Sequence, residues 1–217
     1  MRCRPRQTAG ADTLAELLSG KNLCLIRGDR CLFRNIEFAL EAGELLLVEG
    51  VNGSGKTSLL KAVVGLLEFE SGQIDWNGAP VAKAAQQYRA SLVWFSHRNG
   101  FKGDLTAVQN LQFESGLRAF GGTDIRAALS RVGLAGASDL PMRVLSAGQQ
   151  RRVGLARMLL ADAPLWIMDE PFTNLDTDGQ ALVLDLVGAR LKDNGMCVIA
   201  SHQAVRIDAI IHRIHLQ

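Results

Sequence analysis

The sequence predicts an α/β fold with a parallel core sheet, an antiparallel β subdomain ahead of it and a helical subdomain inserted within it. Three observations carry this reading. The apolar run Glu44-Leu45-Leu46-Leu47-Val48 leads through Gly50-Val51-Asn52-Gly53-Ser54-Gly55-Lys56-Thr57 into a helix-like stretch from Ser58 to Leu67, with Gly65 near its end. Three later runs, Ser91 to Ser96, Pro164 to Met168 and Met196 to Ala200, are near-continuously apolar and alternate with helical periodicity, the pattern of strands buried on both faces. Ile36, Phe38 and Leu40 instead alternate with Asn35, Glu37 and Ala39, the period of a half-buried strand.

Taken in order, residues 1–20 read as an N-terminal extension, a linker or extended start with Arg2, Arg4 and Arg6 on a solvated tail, in which Thr13 to Leu18 could also form a short helix. The domain proper spans 21–217. Leu23 to Ile26, a turn at Gly28-Asp29 and Cys31 to Phe33 form a hairpin. Ser71 to Gly78 is a small strand between glycine turns, and Ala82 to Arg89 is helical. Residues 98–145 form the helical subdomain: Thr106 caps a helix carrying Val108, Leu111 and Phe113, Gly121-Gly122 breaks the pattern, and Thr123 to Val132 carries Ile125, Leu129 and Val132 on one side. Arg151 to Leu160 is a helix opened by the turn Leu145-Ser146-Ala147-Gly148-Gln149. Asp178 to Lys192 is an amphipathic helix, and His212 and His215 fall on a solvated tail.

Composition sets limits. The chain has 217 residues, 47% of them hydrophobic, which suffices for one domain with a core, and its formal net charge of +2 gives no electrostatic case for nucleic acid. Cys3, Cys24, Cys31 and Cys197 form no Cys-x-x-Cys pair, which favours reduced thiols over a disulfide frame or metal centre. No stretch approaches the roughly 20 apolar residues that span a bilayer, and the amino end has no apolar core of a secretory signal. Membrane contact is therefore expected only through partner chains.

The chemistry gathers at the predicted strand ends, where open parallel sheets bind ligands. Gly50 to Thr57 fits Gly, four residues, then Gly-Lys-Thr. In such a loop the glycines let backbone N–H groups turn inward, and the following helix adds its positive end to hold a polyphosphate. Lys56 can then reach the β- and γ-phosphates, and the Thr57 hydroxyl can ligate Mg²⁺. Asp169, after Leu165-Trp166-Ile167-Met168, is expected to hold Mg²⁺ directly or through water, and Glu170 to polarise the attacking water. His202 can donate to the γ-phosphate. Ser146 to Gln149 makes a second anion-binding helix end, which points to a nucleotide held between two surfaces.

The ordered set resembles the ATP-binding cassette (ABC) ATPases over about residues 21–204. Leu145-Ser146-Ala147-Gly148-Gln149 resembles their signature motif and Asn174-Leu175-Asp176 their D-loop. The resemblance implies a P-loop NTPase fold, ATP and Mg²⁺ as ligands, Asp176 as the D-loop acid, and ATP contacts from Gly50, Val51, Asn52, Gly53, Ser54, Gly55, Lys56, Thr57 and Ser58. It also implies a head-to-tail homodimer in which Ser146, Ala147, Gly148 and Gln149 close over the ATP of the other copy. Two positions depart from the general pattern. His97 stands where a Gln usually contacts Mg²⁺ and water, so it becomes a candidate metal contact, and Arg27 stands where an aromatic residue usually stacks on adenine. Arg27 can stack through its guanidinium face.

These departures, with Arg27 to Phe33, Leu145 to Val153, Leu165 to Thr173 and Ser201-His202-Gln203, resemble the ATP-binding subunits of the haem exporter in bacterial cytochrome c maturation. Asn174-Leu175-Asp176 is nearer the general ABC pattern than that subgroup's Ala-Ile-Asp. The resemblance implies a place on the cytoplasmic face of the inner membrane with permease partners of the Ccm B, C and D type. It leaves two uses of the energy open, haem export and release of a haem-loaded chaperone. Another ABC transporter, or a soluble ABC-type assembly ATPase, shares every catalytic motif; Ser96-His97, Arg27 and the Trp166 strand favour the haem-maturation branch.

Overall fold

In the computed structural model the described residues are 17–96, 100–117 and 124–217. Expectations for residues 1–16, His97 and Gly121-Gly122 fall outside them. Two sheets organise the chain. The first is antiparallel, with β1 (Leu17–Arg27), β2 (Arg30–Glu41), β4 (Ser71–Trp76) and the two-residue β5 (Ala79–Pro80) in the order β2-β1-β4-β5. The second is parallel, with β3 (Leu45–Gly50), β6 (Leu92–Phe95), β7 (Leu165–Asp169), β8 (Met196–Ala200) and β9 (Ile211–Leu216) in the order β6-β7-β8-β3-β9.

The expected hairpin forms, with Arg27 opposite Arg30 across the Gly28-Asp29 turn. The strand starts earlier than the sequence indicated. Leu17 pairs with Glu41 and Leu18 with Leu40 and Trp76, so the last residues of the expected extension, where Thr13 to Leu18 could have formed a helix, belong to the sheet. Leu18 is fully buried, and that burial outweighs the weak helical pattern of a short segment.

The parallel strands are apolar throughout because both faces are covered. Leu45, Leu47, Trp166, Met168, Cys197 and Ile199 pack into one core with α5 (Ala147–Leu160) and α6 (Thr177–Lys192). Leu46, Val48, Leu165, Ile167, Met196 and Val198 pack into a second core with α1 (Lys56–Val63) and the antiparallel sheet. The period of two thus divides each strand between two cores. Burial pushes the Cys197 thiol up to about 12, so it is an inert packing group.

α2 (Ala85–Ala90) leads into β6, and Tyr88 bonds the Val63 carbonyl at 2.9 Å. The region after β6 holds α3 (Ala107–Leu117), α4 (Ile125–Arg131) and two short 3₁₀ turns at Ala135–Ala137 and Met142–Val144. Thr106 caps α3 by accepting from the Gln109 N–H at 3.1 Å. Leu111, Leu129 and Val132 are fully buried, whereas Phe113 is exposed and lies 4.0 Å below the Lys102 ammonium. No helix among the described residues is long and apolar enough to cross a membrane.

The carboxyl end differs from the expected tail. β9 pairs in parallel with β3 from Leu45↔Ile211 to Gly50↔Leu216. Ile214 and Leu216 are buried. His212 lies 2.9 Å from Glu44 and His215 3.3 Å from Glu49. The exposed Arg213 and His215 alternate with the buried Ile214 and Leu216 at the strand period, whereas His212 falls on the face of Ile214 and Leu216.

Candidate nucleotide site

The site lies beyond the carboxyl ends of β7, β8 and β3, which are adjacent in the sheet. The loop after β3 turns tightly. A Cβ at Gly50 would stand 2.5 Å from both the Leu216 carbonyl oxygen and Ser54 Oγ, so only glycine fits there. Gly55, at φ 101°, caps α1 in the left-handed region with no side-chain cap. The first N–H groups of α1 therefore have no side chain of their own to answer them. Ser54 Oγ is buried and lacks a hydrogen-bond partner, an orphaned donor in a loop shaped for an anion.

Lys56 is buried and curls back over the loop, donating to the Gly50 carbonyl at 2.8 Å and the Val51 carbonyl at 3.2 Å. Its ammonium lies 3.6 Å from Glu170. The Thr57 hydroxyl donates to the buried Asp169 carboxylate, 3.1 and 3.0 Å from its two oxygens. Two residues expected to share one metal thus touch, although 112 positions apart. Their donors are all hard oxygens, which fits Mg²⁺. Among the described residues no group of three or more His, Cys, Asp and Glu forms a metal cage, and Mg²⁺ is commonly completed by substrate phosphates and water.

Glu170 has φ 48°, an uncommon conformation outside glycine. Its N–H donates to Ala200 at the end of β8 at 2.9 Å. That turn brings its carboxylate 2.8 Å from His202 Nδ1. The nitrogen facing the carboxylate is the one whose proton the acid can orient. His202 is exposed, and the Ser201 N–H is tied to Val48 of β3 at 3.1 Å.

The signature turn sits elsewhere on the chain. Ser146 caps α5 by accepting from the Gln149 N–H at 3.2 Å, and the Gln149 side chain accepts from the Ser146 N–H at 2.9 Å. Ser146 and Ala147 are exposed. A Cβ on Gly148 would meet the Asn174 carbonyl at 3.0 Å, so the turn packs on the D-loop of its own chain. Asp176 caps α6 through the Gly179 N–H at 2.8 Å and meets Arg152 at 3.2 Å. The Gly179 N–H, and then Arg152, hold its carboxyl below the usual carboxylate range. α6 thus starts at Thr177, one residue before the sequence indicated.

Arg27 is exposed at the end of the hairpin. The same hairpin approaches the phosphate loop, with Leu32 Cβ 3.3 Å from a Cβ position on Gly55. Sequence reasoning gave no separate role to Arg151. It is buried beneath the site, donating to the Ser96 carbonyl at 3.2 Å and to the Glu170 carbonyl. Burial lowers its pKa to about 10. A charged residue inside an apolar helical pattern was the available signal.

A strand, a phosphate loop capped by glycine, and an acid pair at a neighbouring strand end define a P-loop ATP-binding cassette. Comparison with known proteins agrees. Residues 33–173 match the ABC transporter family. The chain is 44% identical over 205 residues to the cytochrome c biogenesis ATP-binding export protein CcmA of Nitrosospira multiformis, covering 92% of this chain and 98% of that one. It is 42% identical over 199 residues to the protein of the same name from Yersinia pestis, covering 91% and 90%. Among solved structures, a putative ABC transporter ATP-binding protein from Pyrococcus furiosus superposes with a TM-score of 0.79 at 25% identity, covering 91% and 96%. The ATP-binding cassette MJ0796, in a dimeric post-hydrolysis state bound to ADP and Pi, gives 0.75 at 21% identity, covering 86% and 88%. The chain belongs to the ABC transporter family, in the branch of the cytochrome c biogenesis ATP-binding export proteins. It is an ATP-hydrolysing transporter subunit.

Proposed function

We propose that this subunit drives an export complex serving cytochrome c maturation, as a homodimer on the cytoplasmic face of the bacterial inner membrane beneath permease subunits of the Ccm B, C and D type. The work done is haem export or release of a haem-loaded chaperone. The observation that carries the catalytic reading is the meeting of Lys56, Thr57, Asp169, Glu170 and His202 at one sheet edge. The relatives named for cytochrome c biogenesis, matched over nine-tenths or more of their length, carry the biological one.

In this reading the Gly50–Ser58 loop and the α1 N-terminus bind the phosphates of ATP, and Lys56 leaves its carbonyl partners to pair with the β- and γ-phosphates. Thr57 and Asp169 hold Mg²⁺, which when bound neutralises charge on the phosphate oxygens. Glu170 accepts a proton from the attacking water, with His202 fixing the direction of its carboxylate. Ser146 to Gln149 reach the ATP of the second copy; this chain has one loop and one signature, and the exposed turn is free to face a partner. The domain division, with 98–145 as the helical subdomain that passes motion to the membrane subunits, belongs to the same proposal.

Glu170→Gln is expected to lower kcat by about 10²–10⁴-fold, the usual contribution of a general base, and to keep ATP bound and trap a dimer by size exclusion. Turnover at the parent rate removes Glu170 from the mechanism. Normal c-type cytochromes in a deletion strain would overturn the maturation assignment.

A further inference from the structure

Glu170 owes its aim to its backbone, and its backbone is held from two sides. The N–H is tied to Ala200 of β8 at 2.9 Å. The carbonyl receives the Thr173 N–H at 3.3 Å and the Arg151 guanidinium. The residue sits at φ 48°, a conformation that persists for a non-glycine residue only when its surroundings impose it. Arg151 comes from the second turn of α5, four positions beyond the exposed Ala147 of the signature turn. It is 4% exposed, and its guanidinium lies 4.4 Å from the Phe95 ring centre. Its other arm bonds the Ser96 carbonyl at 3.2 Å, the residue that follows β6. One rigid fork therefore joins the signature helix, the end of β6 and the end of β7.

We propose that Arg151 is a positioning residue that holds the Glu170 carbonyl, and through it the carboxylate, in line for hydrolysis, and that it transmits the placement of the signature helix to that carboxylate. The proposal rests on Glu170 acting on the attacking water. The residue type follows from the task. Two carbonyls just beyond the ends of different strands need a planar group with several N–H donors held in fixed directions. Lysine supplies a point charge at one of them, and the stack on Phe95 favours the flat cation. A buried cation beside Asp169 and Glu170 also balances two acids at the strand end.

The test uses the full-length chain with Arg151→Lys and Arg151→Met, each alone and with Glu170→Gln, reading kcat, KM and equilibrium ATP binding. Arg151→Met is expected to lower kcat about 10–100-fold, with ATP affinity within about threefold of the parent, and Arg151→Lys to recover part of the rate. Because the effect passes through Glu170, Arg151→Met should change the residual rate of the Glu170→Gln protein by less than about twofold. If Arg151→Met does not fold, Arg151→Lys carries the test, since it keeps the charge and most of the volume; a parent kcat there overturns the proposal. So does an equal fold-loss from the Arg151 substitution with and without Glu170. Parent turnover by Glu170→Gln alone instead overturns the reading of Glu170, which separates the two failures.

Discussion

Two helix N-termini in this chain fit an anion, and they are built in opposite ways. α1 opens on Gly55, which offers no side chain to its first N–H groups. α5 opens on Ser146, whose hydroxyl and the Gln149 amide close a capping box. The first end lies against the antiparallel hairpin and carries a buried lysine; the second exposes Ser146 and Ala147. An end left open by its own sequence depends on a ligand to answer its donors. An end already capped is stable alone and can present its hydroxyl outward. The first arrangement suits a primary phosphate site, the second a surface that meets a phosphate brought by another chain.

The largest expected effect comes from breaking the open end. Lys56→Ala removes a buried cation facing Gly50, Val51 and Glu170. Truncating one partner of a buried charge pair costs about 2–5 kcal/mol, or roughly 30- to 4,000-fold in affinity. Equilibrium binding of a fluorescent ATP analogue reads this loss, and undiminished affinity sinks the phosphate-loop assignment.

A middle-sized effect separates capping from phosphate contact at the other end. Aspartate caps a helix as well as serine does, but its charge repels a phosphate. Ser146→Asp should therefore keep the melting temperature and ATP binding of the single chain while lowering kcat about tenfold or more by charge repulsion. Ser146→Ala should lose about 1 kcal/mol of stability, the usual worth of such a cap. Parent turnover by Ser146→Asp would leave α5 with the structural role only.

How legible these ends were in the sequence follows from what each depends on. The open end depends on spacing alone: Gly50, Gly53, Gly55, Lys56 and Thr57 are local, and the apolar strands beside them are long and unambiguous. Asp169 and Glu170 were legible for the same reason, at the end of a run of apolar residues. Arg151 was not, because its partners are two backbone carbonyls, at Ser96 and Glu170, and no side-chain pattern announces a carbonyl acceptor. β9 was missed because its pairing with β3 reaches across more than 160 positions, and Ile211-His212-Arg213-Ile214-His215-Leu216 carries too many polar residues to stand out as a buried strand. Leu17 and Leu18 failed similarly: a short segment takes its structure from its neighbours, here Leu40 and Trp76.

The smallest effect concerns a third helix start. α6 is capped by the exposed carboxylate of Asp176, which accepts from the Gly179 N–H and meets Arg152 of α5. Those contacts favour the ionised form, so the folded-state pKa lies below 3.8. A lowered pKa means the stabilisation is present in full above the ordinary value and is lost as the pH falls through the lowered one. The Asp176→Asn protein would retain an amide oxygen for the cap while carrying no charge and no proton to bind at that position. Urea midpoints of the parent and of Asp176→Asn should therefore differ by a small, constant amount from pH 7 to pH 5 and converge below pH 4. A gap that stays constant to the acid limit would assign the contribution of Asp176 to cap geometry alone. Convergence identifies its charge, answered first by the Gly179 N–H and then by Arg152, as what holds the start of α6.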